Sequence, residues 1–184
     1  LGGGVVGDLG GFVAATFNRG LPFIQVPTSL AAMVDASIGG KTAVNLPQGK
    51  NLVGVFRQPR MVLADIQTLT TLPRRELVSG WAEAIKHGLI LDASLLETFE
   101  SRSGEIEKLE QPVATEVIRR SVAIKAEVVS KDERETLGIR TLLNYGHTIG
   151  HAMETASGYG TLLHGEAVSV GMSAAARISK GMGF

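Results

Sequence analysis

The amino-acid sequence predicts an α/β fold over residues 1–71 followed by an all-α segment over residues 72–184. Two observations support this division. Short apolar runs rich in β-branched residues and bounded by glycine or proline lie in the first segment, whereas apolar residues at helical spacing dominate the second. Alternating strands and helices indicate an α/β layer, so we predict two domains that meet near residues 71–73.

The first segment contains two predicted strands, residues 23–27 and residues 61–65. Both are short apolar runs between turn signals, a pattern typical of buried parallel strands. Residues 28–38 have helical spacing, and we expect this helix to break at Gly39 and Gly40, because glycine is a poor helix former.

The second segment is predicted to be helical throughout. Its first helix, over residues 74–90, begins with Pro73 and has Glu76 soon after, which are residue types favoured at a helix start. Further helices are predicted over residues 95–110, 112–131, 142–156 and 165–180.

Composition argues against several classes of function. Eighteen basic and eighteen acidic side chains cancel, so a broad surface for nucleic acid or an anionic membrane is not expected. No apolar run reaches the roughly 20 residues of a membrane span. The absence of cysteine excludes disulfides and thiolate metal sites and fits a reducing cytoplasm. The chain opens on glycines without a preceding strand and ends directly after a helical pattern, so we expect a fragment of a longer protein.

The opening of the chain is rich in glycine, with six glycines in residues 2–11 before a helix-like run. Glycines at a strand-to-helix turn allow backbone N–H groups to approach a phosphate, and the helix N-terminus favours negative charge. Asp8 is then a candidate to hold a ribose hydroxyl. The alternative is a tight turn that needs positive φ angles.

A second candidate site contains Lys41, Asn45, Lys50 and Asn51, which we predict to lie on short glycine-flanked loops. The stretch around Lys41 is not a P-loop, because the upstream glycine of that motif is missing. Lysine suits phosphate or carboxylate, and asparagine adds neutral donors. The alternative is that these are solvated loop residues.

A charged run over residues 132–135 is interpreted as solvent-exposed, whereas Arg140 shortly after it is a candidate for contact with an anionic ligand.

Histidine and glutamate residues suggest a metal site. The four histidines are His87, His147, His151 and His164. His147 and His151 are four residues apart and therefore share one helix face. Glu83 stands among apolar neighbours, and a buried carboxylate is costly unless it is paired or binds a metal. Two histidines and one glutamate can hold a catalytic zinc ion, and from the residues alone Glu83 or Glu166 with any two histidines remains open.

Eight motifs along the whole chain together resemble the 3-dehydroquinate synthase family. They are Gly-Gly-Gly-Val-Val-Gly-Asp at 2–8, Gln-Val-Pro-Thr at 25–28, Val-Asp-Ala-Ser-Ile-Gly-Gly-Lys-Thr-Ala-Val-Asn at 34–45, Gly-Lys-Asn-Leu at 49–52, Thr-Leu-Pro-x-Arg-Glu at 71–76, Ala-Glu-Ala-Ile-Lys at 82–86, Leu-Asn-Tyr-Gly-His-Thr-Ile-Gly-His-Ala at 143–152 and His-Gly-Glu-Ala-Val at 164–168. So many long motifs in one order make chance agreement very improbable.

The resemblance implies part of a Rossmann-like nucleotide-binding domain followed by a helical metal-binding domain, with the active site between them. It implies NAD contacts at Gly4, Val5, Val6, Gly7, Asp8, Thr28, Ser29, Lys50, Thr68, Leu69, Thr70 and Thr71. It selects Glu83, His147 and His164 as ligands of Zn²⁺ or Co²⁺. Substrate contacts are implied for Arg19, Asp35, Lys41, Asn51, Lys86, Lys125, Arg140 and Asn144. His151 and Glu135 match proton-transfer residues and, with Lys86, form the implied catalytic set.

The activity implied by the resemblance is a step of the shikimate pathway. The substrate would be 3-deoxy-D-arabino-heptulosonate 7-phosphate, and the products 3-dehydroquinate and phosphate. Arg19 matches an arginine that reaches a neighbouring subunit's active site, which implies a homodimer in the cytoplasm. Because family segments at both ends are missing, we expect this chain alone to be poorly active. The alternatives are another sugar phosphate cyclase such as 2-deoxy-scyllo-inosose synthase, a polyol dehydrogenase, or an inactive fragment.

Overall fold

The computed structural model describes residues 1–158 and 160–184. Its first segment contains a small parallel sheet in which β1 (Ile24–Gln25) pairs with β4 (Met61–Val62). An isolated parallel bridge extends the sheet, since Gly2 N–H donates to the Val26 carbonyl at 3.1 Å and Thr28 N–H donates to the Gly2 carbonyl at 2.9 Å. The predicted parallel pairing of these two runs is therefore confirmed, but their predicted burial is wrong, because Ile24 and Met61 are 56% and 55% exposed.

The first segment contains one regular helix and one brief helical segment. Helix α1 (Gly4–Thr16) begins directly after the bridge, so the strand-to-helix turn is confined to Gly2 and Gly3, and the other four glycines of the opening lie within the helix. The helix predicted over residues 28–38 is present as a brief helical segment with a π-helix at Ala32–Ala36. It ends before Gly39 and Gly40, whose φ angles of 114° and 66° are the left-handed conformation that favours glycine.

The predicted lysine and asparagine loops are wrong, because this segment forms an antiparallel hairpin. Strand β2 (Lys41–Leu46) pairs with β3 (Gly49–Phe56), and Thr42 lies opposite Val55. The buried Thr42 hydroxyl also donates to the Val55 carbonyl at 2.8 Å. β-Branched residues favour this extended pairing and outweigh the turn tendency of the flanking glycines.

The second segment is helical. Within the described residues it contains α2 (Arg74–Leu91), α3 (Ala93–Glu107), α4 (Val113–Lys131), α5 (His147–Ala156) and α6 (His164–Gly181). Four of the five predicted helices are confirmed. The single helix predicted over residues 142–156 is wrong, because a 3₁₀ helix (Ile139–Asn144) precedes α5. The helical path is interrupted at Gly146, which has a φ of 81°. A side chain at this position would clash with Met172 of α6.

One hydrophobic core joins the two segments. Leu30 and Met33 of the first segment are fully buried against Leu77 and Trp81 of α2. Trp81 packs edge-on against Phe99 of α3, with ring centroids 5.8 Å apart. Each such buried side chain contributes roughly 1.5–3 kcal/mol of hydrophobic free energy. The two segments therefore share a core, and their division into two domains stays a prediction.

Across the described part of the chain, none of the helices combines the length and the apolar character that a membrane crossing requires.

Candidate metal and anion-binding site

Helix α2 places three ionisable side chains in the interior. Glu83, Lys86 and His87 are 0%, 1% and 0% exposed. Lys86 Nζ donates to Glu83 Oε2 one helical turn away, which offsets the cost of burying either charge. His87 Nδ1 lies 2.7 Å from Ser121 Oγ. Burial and then Lys86 lower the pKa of His87 to about 4, so this imidazole is neutral at pH 7.

Helices α5 and α6 each begin with a histidine that faces Glu83. The Nε2 atom of His147 lies 3.6 Å from Glu83 Oε1, and the Nε2 atom of His164 lies 3.4 Å from the same oxygen. The two imidazole centroids are 5.2 Å apart. His147 Nδ1 is 3.3 Å from the Tyr145 carbonyl, a contact that places the proton on Nδ1 and leaves Nε2 as a lone pair.

Glycines allow the helices to approach closely enough for this geometry. A Cβ atom at Gly165 would overlap the Ser79 carbonyl oxygen and lie 2.7 Å from the Ser79 carbonyl carbon in α2. A Cβ atom at Gly150 of α5 would lie 3.2 Å from the backbone of Ala167 in α6. Helix α6 therefore touches α2 at the residue that follows His164.

The three side chains fit a divalent metal. A tetrahedral zinc ion with bonds of about 2.0–2.1 Å separates its donor atoms by about 3.4 Å, close to the 3.4 and 3.6 Å observed from Glu83 Oε1 to His164 and His147. Glu83 Oε1 is buried and has no hydrogen-bond donor among the described residues. A buried carboxylate oxygen without a donor is unfavourable, and a cation between the three groups would satisfy it.

The electrostatics keep two of the three groups, Glu83 and His147, in the state that a metal requires. Burial and Asp35 raise the pKa of Glu83, but His164 and Lys86 lower it by more, so the net pKa is below its ordinary value. Burial and Lys86 lower the pKa of His147. Glu83 is thus ionised and His147 neutral near pH 7, as metal ligands must be. Burial lowers the pKa of His164, but Glu83 raises it by more.

Two further cations, Lys125 and Arg140, are buried in the second segment. Lys125 of α4 donates to the Asp35 carbonyl at 2.6 Å and also to its carboxylate. Although burial opposes ionisation of Asp35, Lys125 and Lys86 hold its pKa well below the usual range. Arg140 is buried as well and donates to the Gly39 carbonyl at 3.3 Å, and its Nε atom has no hydrogen-bond acceptor among the residues that the structure describes.

Asp132 organises the loop that carries Arg140. The interpretation of residues 132–135 as solvent-exposed is therefore wrong for Asp132. The Asp132 side chain is buried, and its two oxygens accept four backbone N–H groups. The donors are Thr136, Leu137, Ile139 and Arg140, at 2.9–3.3 Å. Although burial raises the pKa of Asp132, these four hydrogen bonds lower it by more.

One candidate proton-transfer residue lies beside the triad, and the other lies near Arg140. His151 is exposed on α5, and its ring centroid is 5.3 Å from that of His147 and 5.8 Å from that of His164. Glu135 is half-buried, with a φ of 56°, and pairs with Lys41 Nζ at 2.7 Å. It also lies 4.0 Å from Arg140 Nε.

Two of the predicted cofactor-binding segments reach residues near the triad. Burial and then Asp35 raise the pKa of Asp8 to about 6, partly offset by Lys125, so the α1 carboxylate lies close to Asp35 and Lys125. Lys50 of β3 lies 3.5 Å from Glu154 of α5. Gly4 opens α1, and the Cβ position of the preceding Gly3 is 3.4 Å from Ser29 Oγ. The N-terminus of α1 thus faces the segment that contains Thr28.

Other predicted residues are further from the triad or have other partners. Thr68–Thr71 lie in a 3₁₀ helix (Ile66–Thr71), and the Leu69 side chain is buried in the core, so only its backbone can contact a ligand. Arg19, Asn51 and Asn144 are exposed, and the first two have positive φ angles of 67° and 58°. Their roles stay predictions.

Two glutamates change the interpretation made from sequence. Glu166 is not in the metal group, because it forms a bidentate pair with Arg75 at 2.7 Å and accepts the Leu163 N–H. Glu154 was not predicted, yet it is buried and lies 3.7 Å from His164 Nδ1. Its position on the same helix face as His147 was the available signal.

The fold matches a class of solved enzymes. A 2-epi-5-epi-valiolone synthase from Streptomyces hygroscopicus subsp. jinggangensis, solved with NAD⁺ and Zn²⁺ bound, superposes with a TM-score of 0.85 and 36% identity over 93% of this chain and 48% of that one. A 2-deoxy-scyllo-inosose synthase, solved with carbaglucose-6-phosphate, NAD⁺ and Co²⁺, gives a TM-score of 0.84 and 36% identity over 100% of this chain and 49% of that one. The chain therefore has the fold of the sugar phosphate cyclases.

Sequence comparison specifies the family. The N-terminal 3-dehydroquinate synthase family model matches residues 1–79, and the C-terminal one matches residues 80–184. The chain belongs to the 3-dehydroquinate synthase family. The 3-dehydroquinate synthase of Pelobacter propionicus is 57% identical over 100% of this chain and 51% of the relative. That of Geobacter metallireducens is 56% identical, with the same coverage of both. The chain spans about half the length of the curated relatives it matches.

Proposed function

We propose that this chain provides the metal- and substrate-binding part of a 3-dehydroquinate synthase. The reaction would convert 3-deoxy-D-arabino-heptulosonate 7-phosphate into 3-dehydroquinate and phosphate, a step of the shikimate pathway toward aromatic amino acids. The observation that carries the proposal is the convergence of Glu83, His147 and His164 on one point, with the buried Lys86 paired to Glu83 and Lys125 paired to the neighbouring Asp35.

The residues of this chain have distinct roles in such a reaction. When bound, NAD would accept and return a hydride, and Zn²⁺ or Co²⁺ would polarise the oxygen being oxidised. Lys125 and Arg140, with Lys86, would bind the phosphate and carboxylate of the substrate and orient it, so that successive steps proceed without release. His151 is exposed and lies among the histidines of the triad, which suits it to transfer a proton to or from the substrate.

The first segment would hold NAD. The N-terminus of α1, beginning at Gly4, offers free N–H groups and a favourable dipole for a pyrophosphate. Asp8 and Ser29 lie on either side of this turn, and Lys50 adds a positive charge at the edge of the cleft. These features support the NAD contacts implied by the sequence motifs.

We also propose a homodimer that acts in the cytoplasm. Arg19 stands exposed at the end of the 3₁₀ helix Phe17–Arg19, where it can extend toward a second subunit. The absence of cysteine from the chain is consistent with a reducing compartment.

The alternative is a sugar phosphate cyclase with a different substrate, such as glucose 6-phosphate. Its support is the close structural similarity to 2-deoxy-scyllo-inosose synthase. The higher identity to 3-dehydroquinate synthases favours the heptulosonate substrate. An inactive fragment is the remaining alternative.

A chimera tests the proposal without depending on the activity of the isolated chain. This chain would replace the matching half of the Pelobacter propionicus relative, and phosphate release would be measured with NAD on the heptulosonate phosphate and on glucose 6-phosphate. We expect turnover of the first substrate only, lost on chelation, restored by Zn²⁺ and absent in Glu83→Gln. Turnover of glucose 6-phosphate alone would favour the alternative, and an inactive chimera beside an active parent would contradict the proposal.

A further inference from the structure

Glu154 is a buried carboxylate without a role in the proposed chemistry. It lies on α5, on the helix face that also carries His147 and His151, and is 8% exposed. A carboxylate at such a position is unfavourable unless its charge is compensated. The groups that compensate the Glu154 charge therefore indicate its role.

The two oxygens of Glu154 face different partners. Oε2 lies 3.7 Å from Nδ1 of His164, and Oε1 lies 3.5 Å from Nζ of Lys50. The other ring nitrogen of His164 faces Glu83 Oε1 at 3.4 Å. The imidazole of His164 thus stands between two carboxylates, one on each nitrogen, and the outer carboxylate reaches the hairpin.

We propose that Glu154 is a positioning residue, which holds the His164 imidazole with its proton on Nδ1 and its Nε2 lone pair directed at the metal. This inference rests on the proposed metal-dependent function. A carboxylate behind a histidine ligand fixes the tautomer and the ring orientation and increases the basicity of the coordinating nitrogen. The ion pair with Lys50 compensates the Glu154 charge, and it connects the metal centre to a segment expected to bind the cofactor.

A direct ligand role for Glu154 is less consistent with the geometry. Glu154, His151 and His164 also lie close enough to form a metal group. That group would share His164 with the triad, so the chain can use only one of the two at a time. Glu154 has a cationic partner in Lys50, whereas Glu83 Oε1 is buried without a hydrogen-bond donor among the described residues. The metal position therefore lies on the Glu83 side of His164.

The test is the affinity of this chain for Zn²⁺, measured by competition with a chromophoric chelator, together with the visible spectrum of the Co²⁺ form. Glu154→Gln keeps the shape but removes the charge, and we expect Zn²⁺ to bind roughly 10–100-fold more weakly. Glu154→Asp keeps the charge and should recover part of this loss. Glu116→Gln removes an exposed carboxylate paired with Arg119 on α4 and should leave the affinity unchanged.

The thermal midpoint separates positioning from folding. Glu154→Gln should leave the midpoint of the metal-free chain nearly unchanged and reduce the rise that Zn²⁺ produces, since that rise depends on affinity. If Glu154→Gln binds Zn²⁺ like the unmodified chain while Glu83→Gln does not, the role of Glu154 is refuted and the proposed function stands. If the unmodified chain does not bind Zn²⁺, both are refuted.

Discussion

The contact between α6 and α2 at Gly165 should control the metal site, and Gly165→Ala tests this. The added Cβ atom would lie 2.7 Å from the Ser79 carbonyl carbon and overlap its oxygen, whereas non-bonded heavy atoms are most stable at about 3.5–4.0 Å. Because the clash is with backbone, the start of α6 must move by roughly 1 Å. His164, the residue before Gly165, moves with it.

This displacement is large compared with the tolerance of a metal centre. His164 Nε2 lies 3.4 Å from Glu83 Oε1, and metal–ligand distances hold to within about 0.2 Å. A shift of about 1 Å therefore removes one ligand of three. Loss of a residue that only supports a metal ligand weakens binding by up to about 100-fold, so we expect Zn²⁺ affinity to fall by at least this factor. The overpacking should also lower the free energy of unfolding by about 1–3 kcal/mol.

Chelator competition measures the affinity, and chemical denaturation of the metal-free chain measures the stability. Gly181→Ala is the matched control on the same helix, because its Cβ atom meets no heavy atom of the described residues within 4 Å. It should leave Zn²⁺ affinity unchanged. The reasoning is refuted if Gly165→Ala binds Zn²⁺ as tightly as Gly181→Ala does.

Three further predictions concern stability, pH and loop order. Leu30→Ala should lower the free energy of unfolding by about 2–5 kcal/mol, because Leu30 is fully buried between the two segments, and urea denaturation measures this. Asp8 has its pKa raised from 3.8 to about 6 by burial and Asp35, so its ionisation costs stability as pH rises through this range. Asp8→Asn should therefore stabilise the chain by about 1 kcal/mol at pH 8, after allowance for solvent screening, with no gain in denaturation curves at pH 3.5. Asp132→Ala should raise the substrate KM of the chimera, because the loop that carries Arg140 loses its hydrogen-bond acceptor. A shift of this loop by about 1 Å would raise KM by up to about 100-fold. An unchanged KM would show that the loop keeps its shape without Asp132.

The sequence predicts local structure best where one signal is strong. Pro73 and Glu76 predict the start of α2, and the apolar neighbours of Glu83 predict its burial. The two parallel strands follow from their short apolar runs. In each case the signal lies within or next to the element itself, so propensity and spacing are sufficient to locate it.

Competing local signals and long-range contacts account for what the sequence does not predict. Loops are predicted in place of the hairpin of β2 and β3, because the turn tendency of its glycines conceals the strand tendency of its β-branched residues. The break at Gly146 depends on the approach of α6, and the burial of Glu154 depends on Lys50 from a distant strand. Spacing alone leaves several metal triads open. The family motifs select Glu83, and the tertiary arrangement separates it from Glu166, which pairs with Arg75.

The charges of the cleft explain why one site can hold both a cation and an anion. Asp35 pairs with Lys125 and Glu83 pairs with Lys86, so these four groups have no net charge. A divalent metal bound by Glu83 and the two histidines would add positive charge that these pairs do not compensate. In an interior of low dielectric constant this excess positive charge is unfavourable unless an anion binds next to it. The substrate expected here carries both phosphate and carboxylate, so metal and substrate each reduce the cost of burying the other.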